Sequence, residues 1–202
     1  MTIRKGEAWG EVGPLPVDGV VVRSDGEARA AVEAARRHGR PYPVLGLVGG
    51  DLARTLGAPG DEARLRSTSA MTFPIDLGQV LVDGRLHLFV SHLVARNRWW
   101  TRIVVAMNAQ WVGPWNLGPR AHPNDGLLDT FDARLPVGDL VKVRRRLPTG
   151  THLPHPGIKA RRGAALTFEL DRPLPIWLDG ERVDEGRSLV VRLEPDALRV
   201  VI

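Results

Sequence analysis

Cysteine is absent from the 202 residues, which excludes disulfides and thiolate metal sites. Aromatic residues are few, with one Tyr, four Phe and six Trp. None of the Tyr or Phe lies in the basic runs Lys142–Arg146 and Lys159–Arg162, where nucleic-acid modules interleave stacking rings with charge. Lysine is nearly missing too: Lys5, Lys142 and Lys159 stand against a large excess of Arg. No apolar run approaches the roughly 20 residues of a membrane helix. The opening MTIRKGEAWGE holds no apolar segment of the signal-peptide kind. These absences point to a cytoplasmic protein.

What remains is ordinary globular material, 43% hydrophobic and 25% charged, long enough for one large domain or two small ones. The net charge of +5 suits contact with phosphate, anionic lipid or nucleic acid, or reflects a solvated basic face.

Residues 1–17 read as an irregular arm. The spacing then predicts a short buried strand at Gly19–Arg23, a helix from Gly26 to His38 with Asp25 as its cap, a second strand at Tyr42–Val48, and a short helix at Asp51–Leu56. Strand, helix, strand, helix is the grammar of a parallel α/β layer. Two parallel strands alone leave an edge and a face open near Val20–Val22 and Val44–Leu47. Either the arm with Trp9 or a second chain is expected to cover them.

Beyond a polar linker the period changes to two. Phe73–Val82 and Arg85–Val94 read as strands joined by the hairpin signal Asp83-Gly84. More short strands follow, with one short helix at Asp139–Leu147, which argues for a β-sandwich or barrel. Leu77, Phe89, Val104, Leu128, Phe168, Trp177 and Val191 are its expected core.

The stretch Asn108–Asp129, rich in Gly, Pro and Asn, is long for a loop inside a compact domain, and such loops are usually functional. It ends in Asp125-Gly-Leu-Leu-Asp129, either a plain hairpin turn or a place for a hard cation. Asp179-Gly-Glu181 is likewise either a turn or a strand-end position for a general base. His152 and His155 flank Pro154 with no third ligand near in sequence, so they suggest no metal. His92, inside an apolar strand, reads as a satisfied core residue.

Taken in order, four segments resemble the bacterial diacylglycerol kinase-like lipid kinases. Leu45-Gly-Leu-Val-Gly-Gly-Asp-Leu-Ala-Arg-Thr-Leu-Gly57 resembles their Leu-Gly-Thr-Gly-Asn-Asp-Phe-Ala-Arg-Thr-Leu-Gly. Met107-Asn108 through Asp125-Gly-Leu-Leu-Asp129 resembles their strand, glycine-rich loop and acidic turn. Gly150-Thr-His152 and Leu178-Asp-Gly-Glu181 resemble two further motifs. The resemblance implies an α+β fold: a small truncated α/β layer with the N-terminal arm (1–66), then a larger antiparallel β-sandwich of the lipid-kinase C-terminal type (67–202). It implies Asp179 as the general base, and Asp25, Gly26, Gly49, Gly50, Asp51 and Glu181 on the nucleotide side. It also implies a magnesium site at Asp125 with backbone oxygens of Leu127 and His122.

The departures shape the functional expectation. Where the family cradles ATP phosphates on Gly-Gly-Asp-Gly-Thr, this chain has Arg23-Ser-Asp-Gly-Glu27. Side chains at Arg23 and Ser24 hinder close approach of phosphate to backbone N–H groups. Glu27 adds a repelling charge, and Val48 replaces a Thr donor. Few residues precede Arg23, where the family has a strand–helix–strand unit. The expectation is a lipid-kinase-like protein with weak or no ATP binding, non-catalytic or partner-dependent, that binds a lipid or another hydroxyl- or phosphate-bearing ligand. One rival is an active Mg- and ATP-dependent lipid phosphotransferase. The other is a basic module for protein or nucleic acid. Expected partners are a lipid or small molecule, a second copy or partner chain on the truncated sheet, and a membrane surface, with nucleic acid not expected.

Overall fold

The computed structural model describes residues 9–202; the first eight residues of the expected arm lie outside the described residues. In chain order the elements are β1 (Glu11–Val12), β2 (Val20–Val22), α1 (Asp25–Arg37), β3 (Leu45–Leu47), α2 (Asp51–Leu56), β4 (Met71–Val82), β5 (Arg85–Phe89) and β6 (His92–Arg96). Then come β7 (Arg102–Met107), β8 (Trp111–Val112), β9 (Trp115–Asn116), β10 (Leu128–Arg134), α3 (Val137–Arg146), β11 (Ile158–Gly163), β12 (Ala165–Leu178) and β13 (Glu181–Val201). The chain is thus α+β, with strands dominating after residue 70.

The 21-residue β13 is the axis. It runs antiparallel to β12 on one side and to β4 on the other. Its last residues also pair in parallel with β3, Val200 opposite Leu45. The small parallel pair β2–β3 therefore joins the large sheet through the C-terminal strand, and β3 gains a partner on the side that sequence left open.

The sandwich core gathers Val80, Phe89, Leu93, Val104, Leu128, Phe168, Ile176, Leu189 and Val191. Each such side chain contributes about 1.5–3 kcal/mol on burial. A second core lies under α1 and α2, with Val22, Val32, Leu45, Leu47, Leu52, Leu77 and Val200. Leu15 closes the other face of the parallel pair with Leu65 and Val201. Gly46 makes room for it, since a Cβ there would meet Leu15 and Leu65 carbons at 2.8 Å. Of the arm, β1 pairs with β4, and Trp9 lies against Phe73 and His122. Trp9 thus covers the β4 side rather than β2.

Three expectations need correction. Asp25 does not cap α1: the cap is Ser24, whose Oγ accepts the Glu27 N–H at 3.1 Å. Trp177 is half-buried rather than core; its ring lies on the outer face of the sheet, under the Arg96 guanidinium. Arg85–Val94 is not one strand. The chain leaves β5, which pairs with β4, and enters β6, which pairs with β7 and β12. The break at Val90–Ser91 has a cause: consecutive N–H groups there turn out of the ladder to bind a carboxylate. Asn108 holds the break open, donating from its amide to the Val90 carbonyl at 2.9 Å and from its backbone to Ser91.

Period-two alternation splits the β6–β7–β10 sheet. Leu93, Ala95, Val104 and Ala106 face the sandwich core. Val94, Val105 and Phe131 face the other way, beneath an outer layer made of α3 and the β8–β9 hairpin.

Candidate functional site

The carboxylate at the strand break belongs to Asp179. It sits in the Asp179-Gly180 turn between β12 and β13, with both residues at positive φ, 53° and 85°, the backbone that a two-residue hairpin of this kind demands. Its oxygens accept N–H bonds from Val90 (2.9 Å), Ser91 (2.8 Å) and His92 (3.1 Å). Burial pushes its pKa up to about 8, and the nearby Asp25 charge pushes the same way, against the three N–H donors. The turn reading of this residue holds, and the same geometry buries its carboxyl.

Asp25 reaches across from the first turn of α1 to cap the next helix. Its oxygens accept the Asp51 N–H at 2.7 Å and the Leu52 N–H at 3.2 Å. Burial raises its pKa to about 6 despite those bonds. Gly50, at φ 101°, permits this approach, because a Cβ there would lie 2.5 Å from Asp25 Oδ1. A Cβ at Gly49 would meet the Arg23 carbonyl at 2.5 Å, and one at Gly26 would meet Glu181 Oε1 at 2.7 Å. The structure thus brings Asp25, Gly26, Gly49, Gly50, Asp51, Asp179 and Glu181 to one junction between the α/β layer and the sandwich.

Sequence reasoning missed three members of that junction. Arg29 on α1 is paired with Glu181 and Glu33, and its Nε lies 3.9 Å from Asp179. Ser91 Oγ lies 3.1 Å from His92 Nδ1. His92, 3% exposed, approaches Asp51 Oδ2 at 3.7 Å. Burial lowers its pKa to about 4, so it is a neutral imidazole at physiological pH. The polar pair Ser91-His92 inside an apolar run was the available signal.

Among the described residues, Asp25, Asp51 and His92 form the one cluster of three such side chains whose ligand atoms converge, all within 4.8 Å of one another. Two carboxylates and a neutral imidazole fit a divalent cation. Burial raises the Asp25 pKa and the neighbouring Asp51 charge adds to it; a cation there would relieve both.

The second sequence-derived site is separate. Asp125 is ion-paired with Arg162, and its Oδ1 accepts the Leu127 N–H at 3.0 Å. His122 Nδ1 accepts the Asn124 N–H at 3.2 Å, and its ring lies tilted against Trp9, with centroids 4.4 Å apart. Buried Asp76 organises this turn, accepting the Gly126 N–H at 2.8 Å and the Asp196 N–H at 3.0 Å.

The Arg23–Glu27 segment, which by resemblance aligns with a phosphate cradle, bonds to itself. The Glu27 carboxylate accepts the Arg23 N–H at 2.7 Å while the Glu27 N–H binds Ser24. These are the reciprocal bonds of a capping box, shifted by one residue on the return side. The Arg23 guanidinium turns away to Glu62, 2.5 Å distant.

Compared with known proteins, residues 69–202 match the family described as the YegS C-terminal NAD kinase beta sandwich-like domain. No curated protein matches the chain in sequence. Among solved structures, it resembles a candidate diacylglycerol kinase from Bacillus anthracis str. Sterne, with TM-score 0.67 and 15% identity over 91% of this chain and 77% of that one. A second candidate diacylglycerol kinase from that organism gives TM-score 0.59 and 13% identity over 79% and 69%. A structure described as diacylglycerol kinase from the same organism gives 0.54 and 14% over 79% and 66%. At such identities the likeness is one of fold.

Proposed function

From the premise that this chain belongs to the family with the YegS C-terminal NAD kinase beta sandwich-like domain, we propose that it is a lipid-kinase-type protein that keeps its acceptor side and has closed its nucleotide side. It binds a hydroxyl-bearing lipid or similar ligand beside Asp179 and does not use ATP on its own.

The observation that carries this reading is the pair of bonds made by Glu27. A helix N-terminus binds phosphate through free N–H groups and its positive dipole. At α1 the Glu27 carboxylate takes the Arg23 N–H, and Ser24 takes that of Glu27. A triphosphate would have to displace the carboxylate and then tolerate its charge. The acceptor side is built differently: Asp179 is buried, neutral near pH 7 by its raised pKa, and faces Asp25 and Arg29.

A divalent cation at Asp25, Asp51 and His92 would supply positive charge to a phosphate or hydroxyl oxygen. The residues themselves hold the ligand: Asp179, protonated near pH 7, orients a hydroxyl and can take its proton only once ionised, a form that a cation beside Asp25 and Asp51 would favour, while Arg29 pairs with Glu181 and lies beside Asp179. Magnesium at Asp125 with backbone oxygens of Leu127 and His122 is a second proposed site, with a bracing role for the turn. Exposed Val137 and Val141 share α3 with Arg144–Arg146, and exposed Trp99 lines one pocket with Arg144, a combination suited to an anionic membrane surface.

Titration calorimetry tests the reading. Mg-ATP is expected to give no binding to the native chain at micromolar levels. A variant combining Arg23→Gly, Ser24→Gly and Glu27→Thr is expected to gain it. Micromolar affinity of the native chain would overturn the closed-cradle reading.

A further inference from the structure

The strand β5 ends the sheet on one side: among the described residues its one strand partner is β4. The two join at Asp83-Gly84, with φ of 46° and 85°. In a two-residue turn of that kind the flanking residues, here Val82 and Arg85, exchange hydrogen bonds. Bonded and non-bonded pairs then alternate along an antiparallel ladder. Arg85, His87 and Phe89 therefore spend their backbone groups on β4, while Leu86 and Leu88 turn theirs outward. Among the described residues no backbone group takes them. Val90, next in phase, shows what this edge accepts, since its N–H holds the carboxylate of Asp179 at 2.9 Å.

Helix α1 lies over the same end of the sheet. Where Val90 binds Asp179, the helix brings Arg29 Nε to 3.9 Å from that carboxylate. One and two turns further along the same side come Glu33, Arg36 and Arg37. With Leu86, His87 and Leu88 they line a groove of 430 Å³. The groove thus has a free strand edge on one side and a helix on the other.

Its charge is positive once the internal pairs are struck out. Glu33 is paired with Arg29 at 3.2 Å. Asp184 pairs with both Arg85 at 2.6 Å and His87 at 2.9 Å. Arg36 reaches the neutral hydroxyl of Tyr42, and neither it nor Arg37 has an acidic partner among the described residues. Leu86 is 41% exposed, and Leu81, opposite it on β4, is 39% exposed, so an apolar step lies beside the two arginines. A charged edge repels strands of its own sign. It disfavours a second copy, which would set Arg36 and Arg37 against themselves, and favours a strand of opposite charge.

We propose that the β5 edge docks an extended acidic segment of a protein partner, added as a further strand in the groove beside α1. Leu86 and Leu88 supply the main-chain bonds, and Arg36 and Arg37 supply the charge. This surface is independent of the ligand reading above.

Fluorescence anisotropy with a labelled acetyl-Glu-Val-Glu-Val-Glu peptide tests it. The native chain is expected to bind this probe, less tightly as salt rises, and not to bind the counterpart with Lys in place of Glu. The acidic peptide N-methylated at every residue keeps the charge and loses the main-chain donors, and is expected to bind at least about tenfold more weakly. Leu86→Pro is expected to weaken the unmethylated probe similarly, because proline at an outward-facing edge position costs the ladder no bond. Arg36→Gln combined with Arg37→Gln is expected to remove most of the salt dependence. The methylated peptide on the native chain decides the matter if Leu86→Pro fails to fold. No binding of the acidic probe, equal binding of its methylated or lysine forms, or a double arginine variant that binds unchanged would overturn the proposal.

Discussion

At the scale of single residues, Asp179 shows how a turn residue can be buried by partners distant in sequence. The Asp-Gly turn was legible, because a hairpin needs residues at positive φ. Its burial was not, since nothing in the local sequence announces the three N–H groups that come from Val90–His92. The raised pKa carries a thermodynamic consequence. In the unfolded chain this carboxyl gives up its proton near pH 3.8, and in the folded chain it holds it to about 8. The folded state thus binds more protons across that window, and stability falls as pH rises through it. Asp25 and Asp76, each raised to about 6, act in the same direction at the lower end. In EDTA, the urea midpoint of the native chain is expected to drop between pH 5 and pH 8, and that of Asp179→Asn to drop less. Equal slopes for the two would show that Asp179 titrates as in water.

Elements come next, and here the reading of strands and helices succeeded where periodicity was strong and failed where a tertiary partner intervened. The β4–β5 hairpin was visible in Asp83-Gly84. The β5–β6 break was not, because Leu86, Leu88, Val90 and Leu93 continue an apolar run while the interruption is made by Asp179, far away in sequence. Asp25 likewise looked like a cap for α1 and turned out to cap α2, because Ser24 already served α1. Gly78 on β4 marks another close fit: a Cβ there would run into the ring of Phe89, its cross-strand partner on β5. Gly78→Ala is expected to destabilise the protein by about 1–3 kcal/mol, the usual cost of overpacking a filled core. Chemical denaturation measures it, and Phe89→Leu in the same chain should recover part of the loss. A neutral Gly78→Ala would show that the hairpin yields more readily than its packing implies.

For the whole molecule, β13 is what makes one site from two layers. Its far end pairs with β3 of the α/β layer, and its near end follows the Asp179 turn in the sandwich. The family resemblance found most of the junction because its motifs kept their order. Arg29 stayed hidden because a lone Arg in a helix carries no signature without the fold, and His92 because the polar pair Ser91-His92 alone does not say which distant side chains it meets. A cation held by Asp25, Asp51 and His92 would tie α1, α2 and β6 together, so it should stabilise the protein by mass action. Manganese or magnesium is expected to raise the Tm, with Asp51→Asn removing the share of the increment held at the junction and Asp125→Asn the share held at the turn. An increment unchanged in Asp51→Asn would leave the junction without an ion.

The central claim is that the acceptor side stands ready while the nucleotide side is closed by Glu27. Its most direct measurement is transfer of the labelled γ-phosphoryl of ATP to diacylglycerol, with magnesium or manganese, by the native chain and by Asp179→Asn. The account predicts no turnover above background for both proteins alike. Turnover by the native chain that vanishes in Asp179→Asn would contradict it and make this a working lipid phosphotransferase.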